Sequence, residues 1–294
     1  MKRKNKIHIV ALTIIMLIFI CAAIVIAVNK RTSVEMPDNQ PIITNSKQIT
    51  CEDYIGKRVG ILKGSSFEED TLKYLHDSEY YYYDSLSDLL LALSQNKIDC
   101  FIHDEPVLKM AVKGFPKVDY IEDVIEEENY SFVFQKNGDK GEILQSQFNE
   151  MLAELKASGE LENIKEKWFD EDESMKIFDK SGITGESGNL KIFVVPTNIP
   201  FAYISDNNEL RGYAVELAYM FCKRYGYIPN FEYVVTSDGL AGMSTGVYDI
   251  GASCLTVTEE RKKIVLFSEP IYNGGIVLCV RTDDIKKRQK SLNE

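Results

Sequence analysis

A row of hydroxyl side chains followed by a fixed cation is the stretch of this sequence best suited to chemistry. Residues 255–272 read LTVTEERKKIVLFSEPIY, so Thr256 and Thr258 shortly precede Arg261. A guanidinium group presents a planar fork that a carboxylate accepts bidentately, and hydroxyls can add further hydrogen bonds. The spacing is therefore suited to holding one small anion. Taken alone, however, Arg261 within EERKK is more typical of a solvated surface charge.

Two further places in the chain offer polar groups at the end of a predicted element. Gly64, Ser65 and Ser66 open the predicted helix FEEDTLKYL, and a helix start presents free N–H groups and a partial positive charge. Serine is a preferred cap at such a start. Asp104 ends the predicted strand IDCFIHD. An ordinary N-cap and a solvent-facing acid account for these residues equally well without further information.

The composition excludes several classes of function. The chain has 294 residues and a formal net charge of −11, which argues against a nucleic-acid surface. Its six cysteines are scattered without a CxxC pair, and with three histidines no zinc-ligand spacing occurs. We therefore expect buried apolar cysteines rather than a metal site, and no cofactor.

The amino terminus predicts a membrane anchor. MKRKNK precedes an uncharged run from Ile7 to Val28, which at ~1.5 Å per residue matches a hydrocarbon core of ~30 Å. The run is longer than the apolar core of a cleaved signal peptide. Basic residues before it place the amino terminus in the cytoplasm. We expect one transmembrane helix through residues 7–28, with the bulk of the chain extracellular or periplasmic.

The rest of the chain alternates strand-like and helix-like segments, which predicts an α/β fold. Segments such as RVGIL and SLSDLLLALSQNK give a β-α-β-α-β pattern, and LKIFVV begins a second α/β unit. The predicted organisation is an anchor (1–31), a tether (32–50), an α/β unit (51–128), a return strand with helices (129–170), a linker (171–188), a second α/β unit (189–283) and a polar tail (284–294).

Several motifs resemble those of the family 3 bacterial solute-binding proteins, the polar-amino-acid receptors of ABC importers. PFAYISDNNELRGYAVELA and GVYDIGASCLTVTEERKKIVLFSEPIYNGGIVLCVR make residues 189–282 similar to the first lobe of that family. YIGKRVGILKGSSFEE and LLLALSQNKIDCFIHDEPV make residues 54–127 similar to the second lobe, and residues 129–169 resemble its carboxy-terminal return. The resemblance implies a two-lobed periplasmic-binding-protein type 2 fold, hinged near Tyr130–Phe134 and Ile276–Val280.

The order of the two lobes is reversed relative to the family. The chain begins with the segment similar to lobe two and ends in DDIKKRQKSLNE, which in the family leads into a GKRVGIL-like strand. Two interpretations follow. The chain is a circular permutant that assembles one receptor, or it is the front of a longer array that has been cut short.

The resemblance also assigns a ligand-binding set. Arg261 corresponds to the clamp on the ligand carboxylate, and Asp104 to the acid that binds the α-ammonium group, since both charges are costly to bury unpaired. Thr256 corresponds to a hydroxyl on the same ligand. The family's aromatic platform is replaced by Asn198, which predicts a more polar wall. The full set implied is Gly64, Ser65, Ser66, Asp104, Cys254, Thr256 and Arg261.

We therefore expect a membrane-anchored extracellular protein that binds a polar amino acid or similar small solute and presents it to an ABC transporter permease. It is not expected to be an enzyme. The alternatives are the ligand-sensing ectodomain of a truncated signalling protein and a non-binding fragment of a tandem receptor. An enzyme on the same scaffold is disfavoured, because strand alternation sends Cys100 and His103 to opposite faces.

Overall fold

The computed structural model describes residues 49–170 and 172–293. The predicted anchor, with its apolar span at residues 7–28, and nearly all of the tether 32–50 lie outside these residues. Within the part that is described, no helix has both the length and the apolar character that a bilayer crossing requires.

Parallel strands form the amino-terminal half of the main sheet. They are β1 (Arg58–Leu62), β2 (Glu79–Tyr83) and β3 (Cys100–Asp104), in the order β3-β1-β2. The helices between them are α1 (Phe67–Tyr74) and α2 (Leu86–Ser94). Helix α2 begins at the predicted place because Ser85 Oγ accepts a hydrogen bond from the N–H of Asp88. The predicted β-α-β-α-β pattern is confirmed.

Long strands cross from this half of the sheet to the other. They are β5 (Glu126–Gln135) and β13 (Tyr272–Arg281). They pair antiparallel with each other over residues 126–130 and 272–276. Further along, β13 pairs antiparallel with β3, and also with the short strand β4 (Val118–Tyr120), which follows helix α3 (Glu105–Ala111). The two strands therefore meet a few residues before the segments that the sequence indicated as the hinge.

The carboxy-terminal half continues the sheet on the other side of β5. Its main strands are β6 (Gly188–Val194), β10 (Tyr227–Tyr233), β11 (Ile250–Thr256) and β12 (Val265–Phe267), and its helices are α6 (Tyr213–Tyr225), α7 (Thr236–Ser244) and α8 (Glu259–Lys262). The order is β10-β6-β11-β5, with β12 also paired to β5. Residues 202–211 form a hairpin within a small separate sheet of β7 (Thr197–Asn198), β8 (Ala202–Ile204) and β9 (Leu210–Arg211).

Strand β10 includes Pro229 as its third residue. A proline lacks the N–H that a central strand would donate. Because β10 lies at the edge of the sheet, its outer side needs no such donor, and the proline is tolerated.

Two helices return along the carboxy-terminal half and pack there. They are α4 (Asp139–Ser158) and α5 (Glu160–Phe169), separated by Gly159 at φ +78°. The ring of Phe148 in α4 stacks on Phe132 of β5 at a centroid distance of 4.4 Å. The indole N–H of Trp168 in α5 donates to the carboxylate of Glu216 in α6. These contacts fix the helices to the half of the sheet that begins with β6.

The end of the chain departs from the sequence prediction. Residues 284–294 were expected to form a polar tail, but helix α9 runs over Thr282–Asn293. Asp283 and Asp284 lie in its first turn, where negative charge favours a helix, and Arg281 pairs with Asp284 at 2.9 Å. Ile285 packs against the core of the amino-terminal half. Tertiary contact therefore stabilises a segment whose sequence carries almost no apolar pattern.

Candidate functional site

Arg261 lies where strand β11 gives way to the short helix α8. Thr258 caps this helix, since its hydroxyl accepts a hydrogen bond from the N–H of Arg261 at 3.2 Å. The guanidinium turns back towards the strand end, and Nη1 donates to the carbonyl oxygen of Thr256 at 3.0 Å. The remaining N–H groups of this partly buried fork can receive an anion. The dense charge run EERKK thus contains one side chain that is directed inward.

Asp104 reaches the same region from the amino-terminal half of the sheet. It ends β3, it is only 4% exposed, and its Oδ1 has no hydrogen-bond partner within the described residues. Burial raises the pKa of this carboxyl well above its ordinary value, and the charge of Arg261 opposes that shift. A buried acid with an unused oxygen is prepared to accept a donor from outside the protein.

Glu128 is a third charged group of this region, and the sequence analysis missed it. It lies on β5, and the hydroxyl of Thr256 donates to its Oε2 at 3.1 Å. Burial is the main cause that raises the pKa of Glu128 to about 7. The signal in the sequence was alternation, because Glu128 shares a strand face with Tyr130, which is fully buried. Asp104, Glu128 and Arg261 are called the charged cluster below.

The charged cluster is contributed by both halves of the sheet and by a crossing strand. Asp104 comes from β3, Glu128 from β5 and Arg261 from α8. The charge of Glu128 raises the pKa of Asp104, and Arg261 lowers the pKa of both acids. Burial lowers the pKa of Arg261, and the two acids counteract this. The cluster therefore combines a cation with two acids, all partly or fully removed from water.

Cys254 and Thr256 lie on β11 beside the charged cluster, as the sequence predicts for two residues of one strand. Burial and the nearby acids raise the pKa of the Cys254 thiol well above its ordinary value, so this side chain is a neutral thiol at pH 7. Thr256 is also buried, and its hydroxyl is already used by Glu128. The backbone oxygen of Thr256 therefore accepts from Arg261, and its hydroxyl donates to Glu128. A ligand at the cluster would contact those two side chains rather than Thr256 itself.

The predicted helix start at residues 64–66 faces the other half of the sheet at a different place. A Cβ on Gly64, which has φ +70°, would lie 3.6 Å from Cβ of Ser237 near the start of α7. Ser65 Oγ donates to the carbonyl oxygen of Leu62 at 2.8 Å. Ser66 occupies the N-cap position, but its side chain makes no capping hydrogen bond, contrary to the expectation that serine caps α1. The backbone N–H of Ser65 also donates to the carbonyl oxygen of Leu62, at 3.2 Å.

Asn198 and His103 are two further residues that the sequence analysis singled out. Asn198 Nδ2 donates to Ser253 Oγ at 3.4 Å, so the residue that replaces the family's aromatic platform is an amide bonded to β11. His103 Nδ1 lies 3.7 Å from Asp104 Oδ2, but burial lowers the pKa of the imidazole to about 4, and it is neutral at pH 7. Glu128 also borders a cavity of about 700 Å³ beside the crossing strands.

Comparison with known proteins finds relatives for the carboxy-terminal part of the chain. Residues 190–294 match the profile of the bacterial extracellular solute-binding proteins, family 3. The chain is 29% identical over 111 residues to the L-cystine-binding protein TcyJ of Escherichia coli, covering 37% of this chain and 42% of that protein. It is 30% identical over 93 residues to the ABC transporter arginine-binding protein 1 of Escherichia coli, covering 32% and 38%. A probable histidine-binding protein of Campylobacter jejuni is 29% identical over 125 residues, covering 42% and 48%.

Solved structures show a weaker likeness. The arginine-bound domain 1 of TmArgBP, in a Phe57Trp mutant, is 25% identical with a TM-score of 0.29, covering 36% of this chain and 93% of that one. The VFT2 domain of Bordetella pertussis BvgS is 11% identical with a TM-score of 0.41, covering 83% and 89%.

These curated relatives are named as binding proteins for cystine, histidine and arginine. The match of residues 190–294 to family 3 of the bacterial extracellular solute-binding proteins confirms the resemblance drawn from the sequence for these residues. The chain spans less than half the length of each of these curated relatives. The similarity of residues 54–169 to the family's second lobe lies outside the profile match and stays a prediction.

Proposed function

We propose that this chain is a membrane-anchored extracellular substrate-binding protein that closes two lobes around a polar amino acid and presents it to an ABC importer. The observation that carries the proposal is the charged cluster. Its cation, Arg261, and its buried acid, Asp104, come from opposite halves of the sheet yet influence each other's pKa. A free amino acid carries one group for each of them.

The chemistry of the two ends supports this assignment. A carboxylate fits the planar fork of Arg261, and the ammonium group supplies the donor that Oδ1 of Asp104 lacks. Each of these two ion pairs is favourable only if the other also forms, because a buried charge left without a partner is costly. A ligand with only one of the two charges would leave the other protein group unpaired. Gly64, Ser65 and Ser66 belong to the proposal as the helix start on the other lobe, with the N–H groups of Gly64 and Ser66 as donors, since the N–H of Ser65 donates to Leu62.

We further propose that the chain builds one receptor in permuted order. The crossing strands β5 and β13 pair within a single sheet, so each half is reached by the chain without a second copy. Helix α9 supports the same interpretation, because Arg288 lies 3.7 Å from Asp53, close to the first described residues. Lobe two would comprise residues 51–128, and lobe one would comprise residues 189–283.

The partner and the location rest on the relatives and on the sequence. One Escherichia coli relative is named as part of an ABC transporter, which supports a permease as the partner of this chain. The family profile is that of extracellular proteins, which supports an extracellular or periplasmic site of action. Residues 7–28 would supply the membrane anchor.

Calorimetry on the full chain in detergent, titrated with each of the common amino acids, tests the proposed function. We expect saturable binding of at least one polar amino acid. Arg261→Ala and Asp104→Ala should each weaken it by about thirtyfold or more, since removing one partner of a buried charge pair costs about 2 kcal/mol or more.

Lys262→Ala is the matched control, because it removes a neighbouring cation that is exposed and pairs with Glu259 at 2.7 Å. That variant should bind like the parent. The proposal fails if Arg261→Ala and Asp104→Ala also bind like the parent, or if a folded parent protein binds no amino acid.

A further inference from the structure

Asp104 and Glu128 form a hydrogen-bonded pair of carboxyl groups inside the charged cluster, called the acid pair below. The two side chains come from different strands, β3 and β5, and their carboxyl groups bond to each other. Two ionised carboxylates can only accept hydrogen bonds, so a bond between them requires a proton on one of the two. Two negative charges side by side would also repel each other strongly in a site removed from water. The acid pair therefore carries at least one proton in this geometry.

Donors from the surrounding protein do not replace that proton. The hydroxyl of Thr256 donates to Oε2 of Glu128 at 3.1 Å. The hydroxyl of Tyr130 bonds to both acids, but its single proton can be donated to only one of them at a time. Oδ1 of Asp104 has no hydrogen-bond partner among the described residues. The protein thus supplies fewer donors than two ionised carboxylates would need.

The charges of the cluster balance when the acid pair holds one proton. Arg261 then carries one positive charge and the acid pair one negative charge. A zwitterionic amino acid adds one charge of each sign, so each buried charge finds a partner. With two protons, the acid pair would offer no charge to the ammonium group. With none, one buried carboxylate would be left without a partner, which is costly.

We infer that Glu128 is a positioning residue that acts through Asp104: the two carboxyls share one proton in the ligand-bound protein, and Asp104 presents their single negative charge to the ammonium group. The inference rests on the proposed function, which supplies that ammonium group. Binding is then linked to protons. An acid pair that holds two protons before binding must release one of them to the solvent when the amino acid binds.

The pH range of this linkage follows from the burial of the acid pair. Burial raises the pKa of Glu128 to about 7. Burial, and after it the charge of Glu128, raises the pKa of Asp104 well above its ordinary value. The acid pair therefore holds two protons below the pKa of about 7 and one proton above it. The affinity for a zwitterion should fall about tenfold for each pH unit below that pKa.

Neighbouring groups with perturbed pKa values are neutral across the same range. His103 Nδ1 lies 3.7 Å from Oδ2 of Asp104, but burial lowers the pKa of the imidazole to about 4. Burial raises the pKa of the Cys254 thiol well above its ordinary value. Burial also raises the pKa of the phenols around the acid pair, which are Tyr120, Tyr130 and Tyr272.

Charged groups also surround the acid pair, and one of them provides a control. Those that act on its pKa values or line the cavity beside Glu128 are Asp70, Glu105, Lys109, Glu122, Glu127 and Arg261. Glu127 is exposed and lies on the opposite face of β5 from Glu128. Its replacement therefore removes a nearby acid without touching the acid pair.

Calorimetry on the full chain in detergent counts the protons released on binding. Each common amino acid whose side chain keeps its charge between pH 5 and pH 8 serves as a probe. Every titration is run in two buffers of different ionisation enthalpy, MES and Bis-Tris at pH 6, and HEPES and Tris at pH 8. The difference in heat gives the proton count. We expect about one proton released per bound amino acid at pH 6 and about 0.1 at pH 8, and an affinity about a hundredfold lower at pH 5 than at pH 8.

Glu128→Gln should release less than about half a proton at pH 6, because it removes both the charge and the hydrogen bond by which Glu128 raises the pKa of Asp104. Glu127→Gln should release as many protons as the parent. A purely structural role of Glu128 would change the affinity by the same factor at every pH. Circular dichroism establishes that each variant is folded, and the proton count of the parent tests the inference without any variant.

The outcomes distinguish the two proposals. If the parent binds an amino acid with equal affinity at pH 5 and pH 8, or if folded Glu128→Gln releases as many protons as the parent, the inference is refuted while amino-acid binding stands. If the folded parent binds no amino acid at either pH, the proposed function itself is wrong.

Discussion

Replacing Glu128 with glutamine should change how the stability of the ligand-free protein depends on pH. Folding raises the pKa of Glu128 from 4.5 to about 7, chiefly by burial, so the folded state favours the protonated acid. The resulting stability is fully present below pH 4.5 and is lost as pH rises through 7. For this shift, the free energy of unfolding falls by about 2.5 kcal/mol between pH 5 and pH 8.

Glu128→Gln abolishes this loss because an amide does not titrate. The variant should therefore gain about 2.5 kcal/mol relative to the parent over the same interval. Asp104 reinforces the sign, since the charge of Glu128 is one of the groups that raise its pKa. The measurement is urea denaturation of both proteins at half-unit steps from pH 5 to pH 8, without ligand.

Glu126→Gln is a control with the opposite expected sign. Tyr74 and Lys73 donate to Glu126 at 2.7 and 2.9 Å, and these bonds lower its pKa. The stability that Glu126 contributes is present above pH 4.5 and is lost as pH falls through its lowered pKa, so its removal should cost a small and nearly constant amount of stability from pH 5 to pH 8. Parallel stability curves for the parent and Glu128→Gln would refute the claim that partial burial raises the pKa of Glu128.

Two further substitutions probe the packing that positions the site. Glu216→Ala leaves the buried indole N–H of Trp168 without an acceptor and should lower the free energy of unfolding by about 2 kcal/mol, measured by urea denaturation. Gly141→Ala would bring a Cβ to 1.7 Å from the carbonyl oxygen of Gln135, so we expect a loss of about 3 kcal/mol or no folded protein. Gly114→Ala, where a Cβ meets nothing within 4 Å, is its control, and equal melting temperatures for the two alanine variants would contradict the geometry.

Most elements could be predicted from local patterns, and the exceptions have physical causes. Alternation and capping placed β1, α2 and α6 because each carries its own turn or cap residue, such as Ser85 or Gly226 at φ +74°. Helix α9 was missed because its stability depends on Ile285 reaching a core formed elsewhere in the chain. No pattern within residues 282–293 carries that information.

The candidate site was predictable only in part, for a similar reason. Arg261, Thr256 and Asp104 follow motifs that a sequence displays directly. Glu128 stands in the run EEEN, which resembles a solvated charge cluster. Its place beside Thr256 results from the crossing of β5 from β13 to β11, a pairing between residues 128 positions apart. Long-range pairing of this kind is not encoded in local periodicity.

The stacking of Phe169 on Tyr272 couples the last residue of α5 to the first residue of β13, with ring centroids 4.8 Å apart and planes within 4°. Trp168, the single tryptophan of the chain, immediately precedes this ring pair and is fully buried. Any change in the path of β13 must therefore disturb the surroundings of the indole. The protein thus carries a built-in optical probe, and its intrinsic fluorescence can report changes around α5 and the start of β13 in solution without a label.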